Sequence, residues 1–281
     1  MLIGSICLAF GPWLVRIADV APVASAFWRM SLAAVPLMLL ARGTVGPLRM
    51  PAGGLMLACA AAALFFAADL AAWHLGIART TLANAALMAN GASFMLPAYS
   101  YIVSRTLPGR NVSLALVCAG LGTALLIGRS ADVSAQHLLG DLLCLSAAAF
   151  YTGYLVIIDR FRRSIPALPL LALVTLFSLP MLLPMALIER GAFWPHDWTP
   201  LIVLALGSQV IGQGLVVYAV GHLKPIVVGI ALLVQPAIGA AIGALRFHEV
   251  PGAADIGGAA LVVVALLLVR LPERGKPLPT V

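Results

Sequence analysis

Charge is what this sequence has least of. Only 10% of its 281 residues are charged, ten of them acidic, while 62% are hydrophobic and mean hydropathy is +1.07. An aqueous globule of this size cannot cover so much apolar surface with so few charges, which excludes a soluble fold. Cysteine is scarce as well. Cys7, Cys59, Cys118 and Cys144 fall one each in four apolar stretches, which excludes a disulfide framework and reads as small buried hydrophobes. The sequence has no phosphate-cradling glycine loop, nucleophile elbow or paired Cys/His ligand set. His248-Glu249 lacks the second histidine of a zincin helix, because position 252 is glycine. The chain reads as a non-enzyme with no cofactor and no bound metal.

Long hydrophobic runs are what it has most of. Ten apolar stretches cover 2–15, 22–41, 51–77, 83–103, 112–128, 139–158, 167–188, 199–221, 226–245 and 253–269. Since about 20 helical residues cross the hydrocarbon, the expected fold is an all-α integral membrane protein of ten transmembrane helices. The first stretch is short unless Arg16 snorkels to the interface. The connecting loops are mostly under ten residues, so residues 1–281 form a single polytopic domain. The second five stretches repeat the first five after about 143 residues, and Pro251-Gly252 falls on Pro108-Gly109 in that register. An odd number of crossings per copy turns the second copy upside down. The expected halves are residues 1–138 and 139–281, two inverted five-helix repeats around a site near the bilayer midplane.

The net charge of +7 is a matter of topology, and it implies membrane lipid as a partner rather than nucleic acid. Placing both termini on one side gathers Arg42, Arg49, Arg105, Arg110, Arg160, Arg162, Arg163, Lys224, Arg270, Arg274 and Lys276 there, eleven of the seventeen basic residues. Arg16, Arg79, Arg129, Arg190 and Arg246 fall opposite, with Arg29 inside the second stretch. That bias predicts both termini in the cytoplasm.

Asp69 is the one acid deep in a stretch, and a carboxylate there faces protein or a water-filled cavity. Three readings stand side by side. Arg29 lies at a matching depth and pairs with Asp69 as a structural lock; or Asp69 lines a cavity, binding a cation or carrying a proton; or it is protonated and hydrogen-bonded. Trp73 shares the Asp69 face, four residues on. His74 is a gate, a substrate contact or a satisfied interfacial histidine. Asn84, Gln209, Gln213 and Gln235 add amides, with Gln209 and Gln213 on one helical face as Tyr151 and Tyr154 are on another. Each alone is ordinary helix–helix glue. Together with Trp13 and Tyr99 they form a candidate lining for a small amphipathic solute. Glycine pairs such as Gly239/Gly243 and Gly257/Gly258 read as close helix contacts, and Trp194 and Trp198 as an interfacial aromatic belt.

The run Tyr218–Pro225, then Leu232-Leu233-Val234-Gln235-Pro236, His248-Glu249 and Gly257-Gly258 resembles the end of an EamA repeat, of the drug/metabolite transporter superfamily. Arg29 after Phe27-Trp28 is similar to an arginine early in the second helix of such repeats. The first half departs from the pattern, with Thr106 where the second has Glu249 and Ser93 where it has Pro236. The resemblance, nearest to the YddG-type amino-acid exporters, implies a ten-helix exporter in a bacterial inner membrane with both termini cytoplasmic. It implies a monomeric carrier of a small-molecule substrate, most of all an amino acid, working by alternating access. The cavity would be walled by stretches one, three, four, six, eight and nine, with Gly91, Pro97 and Pro236 as hinges and Glu249 holding the last turn. Two other classes share the composition: exporters of drugs or nucleotide and phosphorylated sugars, and lipid-handling proteins or intramembrane enzymes.

Overall fold

Proline and glycine decide where the apolar stretches break into helices. The computed structural model describes residues 2–46, 53–105, 107–161, 166–220, 234–268 and 271. Among them every regular element is helical. The first stretch is two helices, α1 (Leu2–Ala9) and α2 (Gly11–Ile17), because Pro12 has no N–H to offer Leu8. Then come α3 (Pro22–Val45) and α4 (Gly54–Ile77). The fourth stretch is also split, into α5 (Leu82–Ala89) and α6 (Ala92–Ser104). The Asn90 side-chain amide donates to the Ala86 carbonyl, 2.8 Å, and Gly91 N–H turns to Met88, 2.9 Å. Thus Gly91 stands at a helix break, while Pro97 lies inside α6.

Helices α7 (Arg110–Val133) and α8 (Ala135–Phe161) follow with Ser134 alone between them, its hydroxyl accepting from His137 N–H, 3.1 Å. After α9 (Ala167–Ile188), the eighth stretch is not one α-helix. Helix α10 (Thr199–Val203) widens into a π-helix, Leu204–Gln213, before α11 (Gly214–Val220). A Cβ on Gly212 would lie 3.1 Å from the Gly207 carbonyl five residues back and 3.0 Å from Leu8, so only glycine fits the wide turn against α1. Helices α12 (Val234–Phe247), with Pro236 buried near its start, and α13 (Ala253–Leu268) complete the chain.

Five segments are each long and apolar enough to cross a bilayer: Pro22–Thr44, Gly54–Ile77, Ala135–Ile158, Leu168–Ile188 and Thr199–Val216. Leu2–Ile17, Arg110–Leu126 and Ala253–Ala265 are shorter apolar segments. The expectation of ten full-length spans therefore holds for half of them. Two of the others are broken by the proline and glycine just named, and residues 226–233 of the ninth lie outside the described residues. So do Met1, Arg49, Thr106, Arg162, Arg163, Gly221–Pro225, Leu232-Leu233, Arg270, Arg274 and Lys276.

Packing follows the internal repeat. Helix α4 lies on α8 and α9, as the π-helix lies on α1 and α3; α5 lies on α8, as α12 lies on α1. Three pairs, α3 with α9, α5 with α12 and α7 with α13, join equivalent segments. Exchanging each segment for its partner about 143 residues away maps this set of contacts onto itself. The α7–α13 crossing rests on glycine: a Cβ on Gly258 would meet Leu126 at 2.8 Å and the Gly122 carbonyl at 3.0 Å. Gly258→Val is expected to lower stability by about 1–3 kcal/mol through overpacking, read as a drop in thermal midpoint in detergent. Gly257→Ala, which meets nothing within 4 Å, leaves the midpoint unchanged.

Candidate functional site

Polar groups close one end of the bundle. Arg16, at the end of α2, pairs with Glu249 after α12 and donates to the carbonyls of Ile77 (3.1 Å) and Thr80. Its guanidinium lies 4.7 Å from the Phe247 ring centroid. The other Glu249 oxygen accepts from Leu82 N–H, 2.9 Å, at the start of α5. Beside this latch, Asp141 is fully buried on α8, accepting from the Thr80 hydroxyl and from Asn84 Nδ2 at 3.2 Å. Glu249 therefore does more than hold its own turn, since its bonds tie ends of both halves together. The threonine and asparagine that bond Asp141 stand 61 and 57 residues away in sequence.

At the same end Asp19 accepts from His196 N–H (2.7 Å) and Asp197 N–H (3.2 Å). The His196 bond above all holds the Asp19 carboxyl below its ordinary range. A depressed folded-state value means the tie is present at neutral pH and lost as pH falls through that value. Amide exchange at His196 is expected to accelerate below the carboxylate range, and Asp19→Asn to show the fast exchange at every pH.

Toward the opposite end there is a gap between helices. A cavity of about 330 Å³ lies among Gly54, Leu57, Ala58 and Ala61 of α4, Tyr99 of α6, and Val156 and Ile157 of α8. Farther along α4, the Phe65 ring packs on Gly153 and lies near Phe150, ring centroids 6.5 Å apart. Asp69 is one turn beyond Phe65.

The interior between these ends holds most of the residues that the sequence singled out. Arg29 is buried and does not form the expected ion pair with Asp69. Its Nε (3.2 Å) and Nη2 (2.9 Å) both donate to Gln209 Oε1, and the guanidinium lies 5.8 Å from the Trp73 ring centroid. The π-helix is what points Gln209 at α3. Asp69 stays within electrostatic reach of Arg29, Tyr151 and Tyr154 but has no ion pair among the described residues, and its side chain keeps partial access to space. Gln213 donates to the Tyr151 hydroxyl, 3.2 Å; Tyr151 and Tyr154 lie 5.5 Å apart, and Tyr154 stacks on Phe66 at 4.8 Å.

His74 is fully buried, with Nδ1 2.7 Å from the Ser25 hydroxyl. That hydroxyl donates to the Pro22 carbonyl, 2.7 Å, so its oxygen is left to accept. The bond chain assigns the ring proton to Nδ1 and leaves Nε2 a lone pair without a partner among the described residues. Four expected residues lie apart from this group. Trp13 packs under Arg246 (5.9 Å) and beside Phe10. Asn84 belongs to the closed end, Tyr99 to the cavity near the opposite end, and Gln235 is half-buried at the start of α12. The four cysteines are free, with Cys7 and Cys118 only partly buried. No metal-binding group of side chains occurs among the described residues.

Apolar helices too long for a small soluble core, wrapped about a buried polar cluster, define a multi-pass membrane protein. Residues 138–271 match the model of the EamA-like transporter family, whose members imply membrane transport of small solutes. Among solved structures eleven chains match. One, a crystal structure of a protein, aligns over 97% of this chain and 96% of its own, at 18% identity and a TM-score of 0.66. At that identity the likeness speaks for the fold. No curated protein matches the chain.

Proposed function

We propose that the protein is an exporter of small metabolites, amino acids foremost, working by alternating access between two inverted five-helix repeats. The observation that carries this reading is Asp69: a carboxylate deep in an apolar helix, near an arginine that bonds elsewhere, with its side chain still open to space. Such a group holds the ammonium of a solute, and Tyr151, Tyr154 and Phe66 offer rings to the solute's apolar part. The contact pattern that survives exchange of the halves supports the inverted repeat. The latch at Arg16–Glu249, with a cavity near the far end of α4, supports a resting state open toward the basic side. By charge bias that side is the cytoplasm of a bacterial inner-membrane protein with both termini inside. The hinges are Gly91, Pro97 and Pro236, with Gly91 already at a helix break.

Proteoliposomes loaded with labelled amino acids test the reading: efflux above that of empty vesicles, competed by unlabelled amino acids, is expected. Efflux unchanged from protein-free vesicles for all twenty contradicts it. Nucleotide or phosphorylated sugars call for several interior cations, and Arg29 is the one arginine or lysine buried among the described residues.

A further inference from the structure

Three N–H groups around Arg29 have no hydrogen-bond partner among the described residues although all are buried: Arg29 Nη1, Gln209 Nε2 and Trp73 Nε1. They are not scattered. Arg29 bonds Gln209 twice and lies against Trp73, so the three donors belong to one contact group on α3, the π-helix and α4. A buried donor left unmet costs about 1–3 kcal/mol, and more when charged, so three together are an expensive arrangement for packing alone. A structural lock would turn Nη1 onto Asp69, which lies within electrostatic reach; instead Gln209 fixes the guanidinium through its other nitrogens. His74 Nε2 is a buried acceptor without a partner among the described residues, and Asp69 has no ion pair among them.

We propose that Arg29, Gln209 and Trp73 form a carboxylate-binding subsite, with Asp69 and His74 Nε2 receiving the solute's ammonium, so that the cargo is a zwitterion. This rests on the reading of the interior as a solute site and narrows it to solutes carrying both charges on neighbouring carbons. Arg29 becomes a binding residue rather than a helix lock. His74 takes the role opposite to that of a carboxylate partner, because a lone pair accepts from an ammonium and repels a carboxylate. A guanidinium with a free Nη1, a side-chain amide and an indole N–H are donors that suit carboxylate oxygens, and the arginine sets the charge. Amines without a carboxylate leave those donors unmet and bind weakly.

The test uses the full-length protein in detergent, with binding read by tryptophan fluorescence. The probes are L-phenylalanine, L-phenylalaninamide and phenethylamine. A hydrogen bond to a charged group sets the scale, so wild type is expected to prefer phenylalanine over both carboxylate-free probes by about 30-fold or more. In Arg29→Gln that preference falls to within about threefold, while in Asp69→Asn it survives although all three probes weaken. Trp73→Phe, which keeps the ring and removes one N–H, reduces the preference in part and serves should the arginine variant fail to fold. Equal affinity of wild type for phenylalanine and its amide overturns the subsite while leaving a carrier of amines standing. No binding of any probe overturns the subsite and the carrier reading together.

Discussion

Asp69→Asn is expected to weaken binding of an amine-bearing solute by about 30- to 100-fold, the worth of one charge-assisted hydrogen bond in a buried site. The amide has the same shape as the carboxylate, and Arg29 keeps both bonds to Gln209, so the fold survives the change. On the exporter reading, a carboxylate that is not paired with Arg29 would exchange an ammonium for a proton, which is antiport. Efflux by the native protein is therefore expected to speed up when the outer compartment is acidified. Efflux by Asp69→Asn is expected to be slower and indifferent to that gradient. Parallel pH responses of the two proteins, measured in the same vesicles, remove Asp69 from coupling.

The second large effect is expected at the closed end. Glu249→Gln removes a charge that Arg16 meets among the carbonyls of Ile77 and Thr80, and it weakens the acceptor of Leu82 N–H. The two side chains are 18% and 17% exposed, so the pair is far from solvent-screened, and breaking one partner costs about 2–4 kcal/mol. A loss of about 2.7 kcal/mol is a factor of about 100, enough to bring a 99:1 closed-to-open ratio near even. Spin labels at Ala78 and Val250, both exposed at this end, are expected to show a second, longer distance in the variant. Gly243→Ala supplies an uncharged control: its Cβ runs into the Glu249 carboxylate, so it is expected to open the same end without touching either charge. A single unchanged distance in both variants shows that Arg16–Glu249 does not hold the end shut.

Much of this was legible in the sequence. The hydropathy period has a counterpart in a set of segment contacts that exchange of the equivalent segments maps onto itself. The membrane carboxylate and the amide and tyrosine spacings singled out residues of the interior, among which the structure bonds Gln213 to Tyr151. What failed did so for local reasons. Gln209 and Gln213 share a face in an α-helix, but the segment is a π-helix, set by glycine at 212 meeting Leu8 of a helix some two hundred residues earlier. Hydropathy carries no record of that meeting, so the Arg29–Gln209 bond was not foreseen, and a pair between Arg29 and Asp69 stood as one of three readings. The Asp141–Thr80–Asn84 group was missed because each residue alone looks like a helix terminus.

Thiol labelling tests the central claim most directly. Ala61 lines the cavity near the end opposite the latch, on the side of α4 that leads by helical steps through Phe65 to Asp69. In a variant with its four cysteines replaced and Ala61→Cys introduced, a membrane-impermeant thiol reagent is expected to label from the cytoplasmic side of oriented vesicles. Transported amino acid is expected to slow that labelling. A thiol that labels from neither side, or at a rate that no solute alters, contradicts a solute path along α4.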